Sequence, residues 1–338
     1  MIRIALALSL MTAPIMAQAD IPSGAINSIV NEHILPRFQD LADQTQSLSK
    51  VAATQCDSTS EALRSAYGAA FDAWVSASHL RFGPSEVDAR AFALAFWPDS
   101  RGATPRALSA LLTAQDPIAA SVEQYADVSI AARGFYAMEM LLFDEVLMAS
   151  GTPAYHCQLI QTITADMALT AAAILEGWQP AYATEVMTPS AAGVYRSEEE
   201  VLQEMFKALS TGLQFTADTR LRRPLGTFDR PYPSRAEAYR SGRSARHVMV
   251  SLSALQDLAG RLAGEDASVS AALDAEFTTA QSQLADLDDP AFAGVAFPQT
   301  RLKIEALQQS VDAIRTTVSG QLGPKLGVAA GFNSLDGD

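Results

Sequence analysis

The stretch Arg133-Gly134-Phe135-Tyr136-Ala137-Met138-Glu139-Met140-Leu141-Leu142-Phe143 decides how this chain folds. It is apolar nearly all round and carries one carboxylate, and it reads as a buried helix. On a helix Tyr136 and Glu139 lie three residues apart and share a face, with Phe135, Leu142 and Phe143 as neighbours. A glutamate in such a setting is expected to be buried. A buried carboxylate needs a partner: an arginine, a ring of donors or a metal ion.

Helical signals continue on both sides. Leu63, Ala66, Tyr67, Ala70, Phe71 and Trp74 follow the i, i+3, i+4, i+7 spacing of an amphipathic helix, and Ser58 with Glu61 fits a capping box at its start. Val201, Leu202, Met205, Phe206, Leu209 and Leu213 form a second such face, opened by Ser197 and Glu200. Leu307, Val311, Ile314 and Val318 alternate by four and three, as in a bundle helix. No sustained β-branched alternation occurs, so the predicted class is all-α. Breaks are expected at Gly83-Pro84, over 98–105, at Gly151-Thr152-Pro153 and over 180–193. The longest non-helical stretch is expected from 222 to about 241, and so long a loop in a compact protein is usually functional or disordered. Its arginines and aromatics favour order. The predicted segments are 1–19, an N-terminal helical bundle over 20–180, and a C-terminal bundle over 181–338 with an Arg-rich loop near 220–246. Two helical halves of similar length suggest an internal duplication.

Residues 1–19 have the pattern of a secretory signal peptide: Arg3, an apolar run from Ile4 to Met16, and Ala17-Gln18-Ala19 before the expected cleavage. No cysteine follows the run, so no lipid anchor is expected. The mature protein is expected to be periplasmic, without a transmembrane segment. Two cysteines, Cys56 and Cys157, favour a disulfide in an oxidising compartment, with buried free thiols as the alternative. The net charge is −14, which argues against nucleic acid or anionic lipid as partners. Even so, eight arginines lie between 220 and 246: Arg220, Arg222, Arg223, Arg230, Arg235, Arg240, Arg243 and Arg246.

Five segments in order resemble the imelysin family of secreted bacterial proteins. They are Trp74 with Arg81-Phe82-Gly83-Pro84, Phe96-Trp97-Pro98-Asp99 with Arg101-Gly102, Gly134-Phe135-Tyr136-Ala137-Met138-Glu139, Tyr239-Arg240-Ser241-Gly242-Arg243-Ser244, and Gly331-Phe332-Asn333-Ser334-Leu335-Asp336-Gly337-Asp338. The resemblance implies two bundle-like helical domains and a site in a cleft between them. A family Gly-x-His-x-x-Glu helix and the Arg/Ser segment would line that site. It further implies either a metal-dependent peptidase activity or a role in iron uptake. Tyr136 stands here in place of the family's histidine, which removes an imidazole ligand or base.

The residues offer three chemistries at that site. A zinc peptidase needs three ligands and a base, yet the four histidines, His33, His79, His156 and His247, include no pair at helical ligand spacing. Tyr136 and Glu139 are hard oxygen donors that suit ferric iron; the plainer alternative is a Tyr136 hydroxyl bonded to Glu139 or to a backbone carbonyl. Arg240 and Arg243, with Ser241 and Ser244, could pair with Glu139 or hold an anionic ligand, or simply tie down the loop. Trp74, Trp97 and Trp178 are read as core or interface aromatics, and His79 and His247 as surface or core residues. Asp99 and Arg101 are expected to form a loop salt bridge, and Arg81 and Glu86 to pair locally.

The sequence therefore predicts a non-enzymatic periplasmic protein linked to iron or haem uptake, with Tyr136, Glu139, Arg240, Ser241, Arg243 and Ser244 as ligand-binding residues. Tyr136 and Glu139 are the expected metal ligands and iron the candidate cofactor. Its partner would be a small ligand, a metal ion, or a periplasmic or outer-membrane protein. The alternatives are a metal-dependent peptidase and a structural or interaction module with a vestigial site.

Overall fold

Apolar stripes at helical spacing dictate the architecture, and the computed structural model, which describes residues 24–328, is all-α. The expected leader and the 331–338 ending lie outside the described residues. Among those residues nine helices have ten residues or more. They are α1 (Leu35–Thr54), α2 (Glu61–Ala77), α3 (Ala103–Ala114), α4 (Gly134–Phe143), α5 (Pro153–Gly177), α6 (Glu198–Gln214), α7 (Ser244–Ala263), α8 (Ala267–Ala285) and α9 (Pro298–Thr317). No strand occurs among them, only an isolated bridge between Thr227 and Arg230.

In the first half α1 packs against both α2 and α5, and α4 lies on α5. In the second half α7 packs on α8, α8 on α9, and α6 against both α7 and α9. The seam between the halves is carried by α2 against α7. One continuous apolar core runs through both groups, with Phe38, Tyr67, Phe71, Phe135, Trp178 and Phe277 fully buried.

The helix ends follow local chemistry. Helix α2 begins two residues later than a Ser58 cap would place it: Ser60 is the N-cap, and its Oγ accepts from the Leu63 N–H. Ser58 is turned to the loop, where its carbonyl accepts from Arg64 Nε at 2.8 Å. Ser197 caps α6 as expected, accepting from the Glu200 N–H, while Glu200 reaches back to the Arg196 N–H at 2.8 Å. Asp99 makes no pair with the Arg101 side chain. Its carboxylate accepts from the backbone N–H groups of Arg101, Ala103 and Thr104, because the open start of α3 offers three orphan donors at once. Arg81 and Glu86 do pair, at 2.5 Å.

Cys56 and Cys157 form a disulfide with a Cα–Cα distance of 5.0 Å, which ties the loop after α1 to the first turns of α5. One helical run, Pro153–Met187, is long and apolar enough to cross a membrane by length and composition alone. It is a core element here: 56% of its most apolar window is buried, including Leu159, Ile163, Met167 and Ile174. Packing on all sides within a protein selects the same composition as lipid does.

Candidate functional site

Helix α4 starts at Gly134, whose φ is +70°. A Cβ there would collide with the backbone carbonyls of Ala93 and Leu94, so only glycine enters the helix at this angle. From that start Tyr136 and Glu139 reach the segment 237–241 of the second half. Around them Phe71 stacks on Phe135 with centroids 4.6 Å apart, and Trp97 stacks on Tyr136 at 5.9 Å.

Glu139 is 4% exposed. Its Oε1 accepts from the Ser241 backbone N–H at 3.0 Å and from the Ser241 hydroxyl at 2.9 Å. That hydroxyl also lies 3.0 Å from the Ala238 carbonyl, so its one hydrogen is divided between two acceptors. No partner among the described residues engages the second oxygen of Glu139. Burial pushes the Glu139 carboxyl above its ordinary pKa, against the pull of the Ser241 hydrogen bonds and of Arg240, with Glu237 adding to the rise.

Tyr136 does not bond Glu139 or a backbone carbonyl. Its hydroxyl donates to Glu237 Oε1 at 2.5 Å. Glu237 is the carboxylate that the fold brings within reach of this hydroxyl, and a bond to a carboxylate is a strong one. Burial would raise the Glu237 pKa, but Arg220 and the His247 ring outweigh it and hold the group well below the usual carboxylate range. Arg220 donates from Nε to Glu237 Oε2 at 2.7 Å and from Nη1 to Ser251 Oγ at 3.1 Å. It projects from a π-helical turn, Phe215–Leu221, that prolongs α6; such turns recur at functional sites. His247 Nδ1 lies 3.2 Å from Glu237 Oε2, but at an angle too poor for a hydrogen bond, and neither ring nitrogen has one. Burial lowers the His247 pKa despite Glu237. Arg220 is the cation that is hydrogen-bonded to Glu237.

The arginines take other partners than Glu139. Arg240 Nε bonds Asp144 Oδ2 at 2.8 Å, and its guanidinium lies over the Tyr239 ring. Arg243 points away to α2, where it pairs with Asp72 and donates to the Gly68 carbonyl at 2.8 Å. Gly68 makes that approach possible, since a Cβ would sit 2.7 Å from Arg243 Nη1. Arg246 shares Asp72 at 3.0 Å. Ser244 Oγ donates to the Glu237 carbonyl at 2.6 Å and so braces the loop from behind. Tyr136, Glu139 and Ser241 thus meet in the seam and Arg240 lies beside them, whereas Arg243 and Ser244 position the segment that carries Ser241.

A cavity of about 250 Å³ adjoins this cluster. Trp97, Tyr136 and Glu139 line it from the first half; Arg223, Arg235 and Arg240 line it from the second. The sequence reading passed over Glu237, Arg220 and Asp144. A signal existed for the first: Glu237 is the one carboxylate between 230 and 246, set among five arginines.

Tyr136 and Glu139 both line the cavity and offer two hard oxygen donors. Burial, then Glu237, holds the Tyr136 phenol well above its ordinary pKa, so a metal would have to displace a firmly held proton. No group of three or more His, Cys, Asp or Glu side chains is placed to hold a metal ion among the described residues. The three-ligand set of a zinc peptidase is therefore not assembled there.

This arrangement defines an all-α protein with a buried polar cluster where two sets of helices join. The chain belongs to the imelysin family: the family model described as Imelysin matches residues 34–318. Two solved structures are similar in fold. An imelysin-like protein from Psychrobacter arcticum 273-4 superposes with a TM-score of 0.78 at 21% identity, covering 93% of this chain and 99% of that one. A protein named iron-regulated protein A precursor, from Parabacteroides distasonis ATCC 8503, gives a TM-score of 0.68 at 13% identity, covering 88% of this chain and 94% of that one. No curated protein matches the chain at a significant level.

Proposed function

We propose that this imelysin-family protein is exported to the periplasm and binds a small ligand or a metal ion at the Glu139 cavity, without catalysis, in iron or haem uptake. The observation that carries this reading is Glu139 itself. A carboxylate is kept 4% exposed, held on one oxygen by Ser241, and left without a described partner on the other, beside a cavity. Holding a carboxylate largely out of water costs stability, and a ligand that pairs with its open oxygen would recover part of that cost. Iron is the candidate cargo: Tyr136 and Glu139 are hard donors, the resembling family is linked to iron uptake, and one protein of similar fold carries an iron-regulated name. Export is inferred from the leader-like residues 1–19.

A second reading is favoured by Tyr136, whose hydroxyl is already paired with Glu237. On that reading the cluster is a structural clamp and binds nothing. Elemental analysis of protein purified from its native periplasm, with Glu139→Ala beside it, separates the two. Metal or ligand retained by the wild type and lost in the variant supports binding. Equal contents in both, together with no phenolate absorbance on ferric titration, would exclude the binding site.

A further inference from the structure

Two cations at the cavity have no anion. Arg223 and Arg235 both line it, and the contacts shown for them are with rings. The Arg223 guanidinium lies 5.6 Å from the Trp97 ring centre, and that of Arg235 lies 3.7 Å from the centre of Tyr232. Neither has a carboxylate within ion-pair distance among the described residues. Arg223 Nε is buried and has no hydrogen-bond partner. Burial, then the repulsion of Arg235, pulls the Arg223 pKa below its ordinary value, so the two guanidinium groups feel one another.

None of the carboxylates that border the cavity pairs with either arginine. Asp99 caps α3, Asp144 holds Arg240, and Glu139 is held by Ser241. Both arginines line the one cavity, in a chain of net charge −14. The Trp97 and Tyr232 rings lie beside the two guanidinium groups and offer them no anion. A planar guanidinium fork suits bidentate capture of an oxyanion.

We propose that the cavity takes a small oxyanion, a phosphate or a carboxylate, held between Arg223 and Arg235. This rests on the reading of the cavity as a ligand pocket and names the chemistry of what enters it. The anion would supply the counter-charge that both cations lack.

The test is calorimetric titration at low ionic strength with inorganic phosphate and, separately, with citrate. Proteins compared are the wild type, Arg223→Gln, Arg235→Gln, Arg223→Lys and Arg222→Gln. Arg222 is exposed, is paired with Asp218 and does not line the cavity, so it controls for diffuse charge. The wild type is expected to bind at least one anion. Each cavity Arg→Gln change is expected to weaken binding about ten- to hundredfold, and Arg223→Lys to restore only part of it. A preference for phosphate or for citrate assigns the source of the oxyanion. Absence of binding of both anions by the wild type overturns the proposal, as does an Arg222→Gln loss equal to that of Arg223→Gln. Near-ultraviolet circular dichroism confirms that each variant is folded. The Glu139→Ala retention experiment has its own readout, so the two proposals can fail separately.

Discussion

Tyr136 and Glu237, 101 residues apart in sequence, are joined by a hydrogen bond of 2.5 Å inside the protein. Glu237 is at once the acceptor for Tyr136 and the counter-charge of Arg220. One carboxylate thus fastens the helix 134–143 to the π-helical turn 215–221. Removing it leaves Arg220, only 3% exposed, as an uncompensated charge. Breaking one side of a buried ion pair costs about 3–5 kcal/mol. Glu237→Ala should lower unfolding stability by that amount in urea denaturation, and a loss under about 1 kcal/mol would contradict the assigned role.

Glu139→Gln should behave oppositely. The amide oxygen can still accept from Ser241, while the cost of holding a charge out of water disappears. Because folding raises the Glu139 pKa, the buried carboxylate destabilises the fold increasingly as pH rises through its raised value. At neutral pH the variant is expected to be as stable as the wild type or more so, by about 1 kcal/mol, while losing whatever the cavity binds. Marked destabilisation in thermal melts would argue for a structural carboxylate.

Acid should weaken the protein in a defined window. His33 is fully buried, with Nδ1 2.7 Å from Asp257 Oδ2 and Nε2 2.8 Å from His79 Nε2. Arg37 and Arg261 also face Asp257. Burial lowers His33 from 6.5 to about 4, against the pull of Asp257, and His79 is lowered as well. Between these values the unfolded chain binds more protons than the folded one. Stability is therefore full above the unfolded value and is lost as pH falls towards about 4, by up to about 3 kcal/mol from His33. Urea midpoints at about pH 7 and about pH 4.5 measure the loss. His33→Asn should flatten the dependence; an unchanged slope would refute the assignment.

The disulfide closes a loop of 101 residues. In the chain-entropy model such a loop contributes about 4–5 kcal/mol by restricting the unfolded chain. The double variant Cys56→Ala and Cys157→Ala should lose most of that in denaturant titration at unchanged far-ultraviolet circular dichroism. Equal stability of the two proteins would show that the unfolded chain is already compact in this region.

The sequence by itself determined the helices and the burial of Glu139, and it favoured a bond between its two cysteines. These follow from local period, composition and cysteine arithmetic, which need no knowledge of neighbours. Of the four residues expected to reach Glu139 from the second half, Arg240, Ser241, Arg243 and Ser244, only Ser241 bonds it. Which arginine meets which acid was decided only by the tertiary structure. Arg240, Arg243 and Arg220 look alike in sequence, yet they go to Asp144, Asp72 and Glu237. A guanidinium on a long side chain can swing to whichever carboxylate the packing of α2, α4 and α7 brings within reach, and that packing is a property of the whole core.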